Sequence, residues 1–336
     1  MKLSIVTTLY HSAPYIREFQ ERVAACARSI TSDCEFVYVN DGSPDQSLRT
    51  AVALIAEDPR VRVVDLSRNF GHHQALMAGI AHARGEYVFL IDVDLEEPPE
   101  CLPVFWRELH QRKVDVVYGY QTERRGPWFQ RITGMLYWRL FNFLSDQPVM
   151  ADILTVRLMS RRFVDALLQH REQLFSIEGL WANTGFDQIP IEVNKIRHKG
   201  ESTYTLRKKL AYAFQAITAF STKPLICVAA LGALLTASSA LYVLFLVGRY
   251  LISGTSVGGW TSLIVSLWFF GGLIIFNLGV ISTYLAVIFI ETKRRPVTIV
   301  KHIHEAVAPE IGIRPRESVP APVPPIRSGS VANLFS

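Results

Sequence analysis

The chain reads as an α/β domain on a mostly parallel sheet, followed by interfacial amphipathic helices and two membrane-spanning helices. Three observations predict this. Short, nearly continuous apolar runs alternate with helical stretches over residues 1 to about 120, the pattern of a parallel sheet covered on both faces. Two long uncharged apolar runs occupy the C-terminal half. Between them in importance lies Ile91–Glu100, I-D-V-D-L-E-E-P-P-E, which sets two carboxylates where a buried strand runs out into a loop.

The strand candidates are Leu3–Leu9, Glu35–Val39, Val61–Leu66, Tyr87–Ile91 and Val114–Gly119. Helical patterns fill the gaps at Tyr15–Ser29, Gln46–Ala56, His72–Ala83 and Glu100–Arg112. Pro98 and Pro99 suit the start of the last helix, where a missing N–H costs nothing. Thr122–Arg131 is a basic loop with Arg124, Arg125 and Arg131. Ile132–Leu144 is rich in aromatic and apolar residues on more than one face, which suits either a core helix or one lying in a bilayer interface. Residues 154–198 return to a mixed α/β pattern. In Lys199–Thr222, Leu206, Leu210, Phe214, Ile217 and Phe220 recur at helical spacing beside Arg207, Lys208 and Lys209. A basic amphipathic helix just before an apolar span reads as membrane-surface.

Leu225–Val247 carries no charge and would make roughly 35 Å of helix, enough to cross a bilayer core. Ser262–Ile290 is likewise uncharged, with Asn277 its most polar side chain. Basic residues flank the pair on both outer sides, while the intervening loop Arg249–Trp260 has one. The positive-inside rule then puts both termini and the soluble domain in the cytoplasm, on the inner face of the cell membrane. The expected organisation is a soluble domain over 1–200, an interfacial helix over 201–223, a hairpin over 224–295 and a tail over 296–336, disordered beyond about 309 where proline accumulates.

The 336 residues carry a net charge of +5, and the basic residues are scattered or gathered near apolar segments, which argues against a nucleic-acid partner. Cys26, Cys34, Cys101 and Cys227 form no C-x-x-C pair, so neither a zinc site nor a disulfide framework is indicated. The N-terminus lacks the apolar length and cleavage site of a signal peptide and reads as the first strand.

At alternating positions of an extended chain, Asp92 and Asp94 can point to one face. Two hard oxygen donors there suit a divalent cation holding a diphosphate; a solvated acidic turn is the plainer alternative. Asp41 also falls at a strand end, before Gly42, where its carboxylate could receive hydrogen bonds from a nucleobase or ribose, or cap a turn.

Four strings occur in order: V-N-D-G-S-P-D (Val39–Asp45), L-S-R-N-F-G (Leu66–Gly71), I-D-V-D-L-E-E-P-P-E, and F-S-T-K-P-L (Phe220–Leu225). Together they resemble family 2 glycosyltransferases of GT-A fold, specifically polyprenyl-phosphate glycosyltransferases of the dolichyl-phosphate-mannose-synthase type, bacterial members with a two-helix membrane hairpin. The resemblance covers roughly residues 2 to 295. It implies inverting transfer of a sugar from a nucleotide-sugar, taken as a UDP-sugar, to an undecaprenyl-type polyprenyl phosphate, giving a lipid-linked sugar for the cell envelope. It also implies Mg²⁺ or Mn²⁺ and self-association into a homo-oligomer. Asp92, Asp94 and Glu96 become the metal ligands, with Glu96 where relatives often carry Gln. Thr8, Tyr10, Asp41, Asn69, His72 and Asp92 become donor-binding residues. Arg124, Arg125, Arg131, Arg197, Ser202 and Tyr204 are candidates for the acceptor phosphate, since a planar guanidinium fork suits that anion; Arg131 is also placed among the catalytic residues.

The chain departs from the pattern in places. Leu154–Arg161 reads L-T-V-R-L-M-S-R, which puts Thr155 where relatives carry an aspartate near the transferred sugar. His72 stands where lysine is common, and His72 and His73 read as helix-start or donor-pocket residues rather than metal ligands. Two other functions are weighed. A processive polysaccharide synthase would carry Q-x-x-R-W, which this chain lacks, and more than two spans. A non-catalytic membrane scaffold is favoured by Thr155 and opposed by the intact D-x-D pair.

Overall fold

The computed structural model describes residues 1–121, 153–195, 223–253 and 259–306. Eight strands form one sheet in the order β7-β5-β6-β4-β1-β2-β3-β8. They are β1 (Leu3–Leu9), β2 (Cys34–Asn40), β3 (Val61–Leu66), β4 (Tyr87–Leu90), β5 (Val116–Tyr120), β6 (Ile153–Ser160), β7 (Gln188–Glu192) and β8 (Val300–Glu305). β1, β2, β3 and β4 run parallel, as does β7 on β5. β6 runs antiparallel between β4 and β5, and β8 antiparallel to β3. The sheet is therefore mixed, with the expected parallel half at its centre.

Every residue of β1, β2 and β3 is buried, because helices cover both faces. On one face lie α1 (Ile16–Arg28), α2 (Ser47–Glu57) and α4 (Leu102–Arg112), sealing a core that includes Phe19, Phe36, Phe89 and Phe105. On the other lie α3 (His72–His82), α5 (Arg161–Leu167) and α6 (Ile177–Thr184), around Val6, Val39, Leu76 and Phe163. Helix α1 buries Ile16, Phe19, Val23 and Ala27 at helical spacing, and its one buried polar side chain, Gln20, bonds to Tyr38 and Asp58. Pro99 opens a 3₁₀ turn, Pro99–Cys101, that leads into α4, as the prolines suggest. The observed elements match the sequence-based ones to within one or two residues, β5 beginning later than expected at Val116.

Two long helices follow: α7 (Lys223–Ser253), which contains the first expected span, and α8 (Trp260–Thr292). They touch one another. Within α8, Ser266–Thr292 has a mean hydropathy of 2.4 and none of it is buried, so it is long and apolar enough to cross a membrane. It is the one such stretch among the described residues. The aromatic segment 132–144, the amphipathic helix expected over 201–223 and the tail beyond 309 lie outside the described residues.

The region after the second apolar helix differs from expectation. Residues 300–305 are no tail: as β8 they extend the sheet along β3, pairing Arg62 with Glu305 and Val64 with Ile303. Glu305 also takes ion pairs from Arg62 and Arg84, at 3.2 and 3.3 Å. The segment V-K-H-I-H-E has too little apolar content to announce a strand, but charged residues are what an edge strand carries.

Helix α3 sits close on the sheet because Gly79 has no side chain: a Cβ there would lie 2.5 Å from Val6 Cγ1 and 2.8 Å from Val39 Cγ2. Both valines are fully buried. Gly79→Ala should lower stability by about 1 kcal/mol net, the overpacking cost of ~1–3 kcal/mol exceeding the helix-propensity gain of ~1 kcal/mol. Thermal unfolding of the detergent-solubilised protein checks this; a higher midpoint would mean that the valines give way freely.

Candidate active site

In an open sheet of this kind, groups at the carboxyl ends of the parallel strands share one edge. β1, β2 and β4 deliver Thr8, Asp41 and Asp92 to that edge, and antiparallel β6 begins there, bringing Thr155 beside them.

Asp41 is nearly fully buried, and both of its oxygens are engaged. Oδ1 accepts the Phe70 N–H at 2.7 Å and Oδ2 accepts the Gly71 N–H at 3.0 Å. Asn69 Nδ2 donates to the Asp41 carbonyl at 3.2 Å. Of the two roles open to Asp41, the structure shows the turn-holding one, and it gives Asn69 a similar role. Gly42 completes the contact at φ +60°, with its α-carbon so near the chain that a Cβ would lie 2.5 Å from Asn69 N. The loop Arg68–Gly71 is thereby pinned to the end of β2, which fixes where α3 starts.

His72 is the first residue of α3. Its Nδ1 lies 3.2 Å from Thr8 Oγ1 and its Nε2 3.6 Å from Asp92 Oδ1. The expected donor residues Thr8, His72 and Asp92 thus form one line across the sheet edge. Tyr10 lies beyond them, half exposed, its ring edge-on to His11.

Along Asp92–Glu97 the chain alternates. Val93 and Leu95 are buried and Asp92, Asp94 and Glu96 are partly exposed, in a turn rather than the extended chain the sequence suggests. The turn demands φ +60° at Leu95, a conformation unfavourable for a non-glycine residue and held here by burial of its side chain. Asp94 Oδ1 accepts the Glu96 N–H at 3.0 Å. Burial raises the Asp94 pKa, and the charges of Asp92 and Glu96 raise it further. Asp92 Oδ1 is buried without a hydrogen-bond partner.

Glu96 does not join the aspartates as the resemblance implies. Its Oε2 pairs with Lys195 Nζ at 2.8 Å, and among the described residues no three acidic, histidine or cysteine side chains converge on a metal-sized space. Like charges drive the carboxylates apart, and Lys195 offers Glu96 a nearer partner. Burial by itself would lower the Lys195 pKa; Glu96, Glu97 and Asp94 together raise it. Lys195 follows β7 and had no role in the sequence reading, where it is one cation in the basic string Lys195–Lys199.

Glu97 was also missed. It is 1% exposed and accepts the Thr155 N–H at 3.2 Å through Oε1. Burial, then the charge of Asp92, pushes its carboxyl up to about 8. The link between Glu97 and Thr155 is through the Thr155 backbone, so it persists whichever side chain stands at that position. Two residues on, Arg157 is fully buried, donates to the carbonyls of Thr155 and Leu154, and stacks on Trp181. Burial pulls its pKa well down, against the attraction of Glu178 and Glu97. On α6, Glu178 Oε1 lies 3.9 Å from His73 Nε2, while His73 Nδ1 accepts the Ile177 N–H at 3.4 Å. Burial lowers the His73 pKa, against the opposing charge of Glu178. Arg124, Arg125, Arg131, Arg197, Ser202 and Tyr204 lie outside the described residues.

An α/β sheet with a D-x-D loop at its carboxyl edge defines the class of nucleotide-sugar transferases of GT-A fold. The sequence pattern of glycosyl transferase family 2 matches residues 4–168. A Mycobacterium tuberculosis protein named as a glycosyltransferase is 46% identical over 304 residues, covering 90% of this chain and 89% of its own. YkcC, an uncharacterised Bacillus subtilis glycosyltransferase, is 34% identical over 306 residues, covering 90% and 94%. A prophage-derived bactoprenol glucosyl transferase of Shigella flexneri is 32% identical over 306 residues, covering 90% and 99%. The chain therefore belongs to glycosyltransferase family 2, and it is a glycosyltransferase.

Glu97 gives a pH signature. Its carboxyl is raised from 4.5 to about 8, so the unfolded chain gives up this proton at lower pH than the folded one. Stability contributed by the protonated form is then lost as pH rises through that window. Glu97→Gln, which stays neutral, should flatten the fall of the unfolding midpoint between these pH values, measured with divalent cations chelated. Identical pH profiles for the two proteins would show that Glu97 ionises freely.

Proposed function

We propose that this glycosyltransferase moves a sugar from a nucleotide-sugar to a polyprenyl phosphate at a membrane surface. The observation that carries the reading is a covalent juxtaposition. The domain bearing Asp92 and Asp94 is continuous with α8, which can cross a membrane, and the chain beyond α8 rejoins the same sheet as β8. That arrangement suits an acceptor presented at the membrane surface. The Shigella relative's name supplies the acceptor class. The donor sugar is left open; a UDP-sugar is the working choice.

The Asp92–Asp94 pair fits a divalent cation. Asp92 Oδ1 is buried without a hydrogen bond, and burial with the like charges of Asp92 and Glu96 raises the Asp94 pKa against the opposing charge of Lys195. Mg²⁺ characteristically takes one or two carboxylates and completes its shell with phosphate oxygens. Mg²⁺ or Mn²⁺ held by Asp92 and Asp94 would supply charge to offset the departing nucleoside diphosphate. Glu96 would reach the ion only by leaving Lys195.

The acceptor phosphate is already anionic, so its oxygen can form the bond to the anomeric carbon as the bond to the diphosphate oxygen breaks, with inversion. No strong base is then required, and Thr155 serves position rather than proton transfer. The line Thr8–His72–Asp92 orients the donor side. Arg131, with Arg124, Arg125, Arg197, Ser202 and Tyr204, is proposed to hold the lipid phosphate. Both apolar helices are proposed to span the bilayer, with the catalytic domain and both termini cytoplasmic and the protein self-associating.

Incubation with a panel of nucleotide-sugars and a polyprenyl phosphate, followed by mass spectrometry of the lipids, tests the reaction. Asp94→Asn should reduce transfer at least a hundredfold, a loss of about 3 kcal/mol or more of transition-state stabilisation, with Asp92→Asn nearly as severe. Chelation should silence the unaltered enzyme; near-normal turnover by Asp94→Asn would remove the D-x-D assignment.

Orientation is tested separately. A single reactive cysteine replacing Trp260, which is exposed at the start of α8, should be labelled from outside intact cells, and one replacing Lys301 should not. The reverse pattern would invert the topology.

A further inference from the structure

At the junction between α8 and the catalytic domain stands one acidic side chain, Glu291. Glu291 lies in the last turn of α8, at the end of a span otherwise without charge. An anion there is disfavoured by the helix dipole, so the local helix gives it no reason to be acidic. Its partners lie elsewhere. One oxygen accepts the Gln173 N–H at 2.9 Å and the Leu174 N–H at 3.0 Å, and the other lies 3.0 Å from the Gln173 nitrogen. The Gln173 side chain returns the contact, donating Nε2 to the Arg295 carbonyl at 2.6 Å.

Gln173 and Leu174 belong to the link between α5 and α6, and that link ends in the active site. Ser176 caps α6 by accepting the Gly179 N–H and donates its hydroxyl to Glu178. Ile177 N–H and Glu178 then bracket the ring of His73, whose neighbour His72 bridges Thr8 and Asp92. A run of only a few residues is thus held at one end by the membrane helix and at the other by the donor side of the site.

We propose that Glu291 is a positioning residue: by clasping the Gln173 and Leu174 amides it fixes the catalytic edge at a set height above the membrane surface from which a lipid phosphate is presented. This rests on the acceptor being membrane-borne, as argued above. Hydrogen bonds to a charged acceptor are stronger than neutral ones, and this carboxylate collects two backbone donors that a neutral side chain would hold less firmly.

The test uses the full chain in lipid nanodiscs, with Glu291→Ala and Glu291→Gln compared with the unaltered protein. Glu291→Ala should raise the apparent KM for polyprenyl phosphate about tenfold while nucleotide-sugar binding, by calorimetry, stays within about twofold. Glu291→Gln, which keeps an acceptor oxygen without the charge, should fall between. Hydrogen exchange at the Gln173 and Leu174 amides should quicken in the same order. Unchanged acceptor KM, or unchanged exchange at those amides, would overturn the proposal. Equal loss of donor binding would also overturn it, since Glu291 would then be supporting the fold at large. Absence of lipid-linked product from the unaltered protein would instead remove the acceptor reading, and with it the purpose assigned to the clasp.

Discussion

The buried carboxylate of Asp41 sets the frame for the rest of the site. It holds the Phe70 and Gly71 amides, and so decides where α3 begins and which way its first residues face. His72 then meets Thr8 from the neighbouring strand and Asp92 from the next one along, and His73 meets α6. A helix starting one residue later would turn these rings through about 100° and break every one of those contacts. Asp41 thus governs the donor side through the two backbone amides it holds.

The electrostatics of the edge are deliberately unbalanced. Asp92, Asp94, Glu96 and Glu97 fall within six residues, and among the described residues the cations set against them are Lys195 and the buried Arg157. Lys195 is committed to Glu96, and Arg157 spends its donors on the carbonyls of Leu154 and Thr155. The cost of keeping carboxylates together in a partly dry site appears as raised proton affinity at Asp94 and Glu97. Such a site gains from any positive group that enters it, which is the property a transferase handling a diphosphate needs.

What could be read from the sequence follows from range. The central strands and the helices between them announce themselves because burial on both faces forces continuous apolar runs, and the D-x-D loop because its chemistry is compressed into consecutive residues. Thr8, His72 and Asp92 could be grouped through their motifs. Lys195, Glu97, Arg157 and Glu178 could not, since their partners lie far along the chain and each alone looks like an ordinary charged residue. Glu97 was hidden beside the more conspicuous Glu96; only its burial separates them. The Glu96–Lys195 pair was hidden for the same reason, since Lys195 could not be placed against the aspartate loop. β8 escaped because an edge strand is selected for polarity, the trait that marks a tail.

β8 has a consequence for how the protein is made. The strand that covers β3 leaves the ribosome only after both apolar helices, although β3 itself is complete by Leu66. During synthesis the catalytic sheet therefore waits with an open edge, able to pair with another chain. Closure joins Leu66 to Val300 and so needs the helix that precedes Val300 to end beside the domain that holds β3. A chain whose last long helix ended elsewhere would be left with an unsealed sheet, its β3 edge open to pairing.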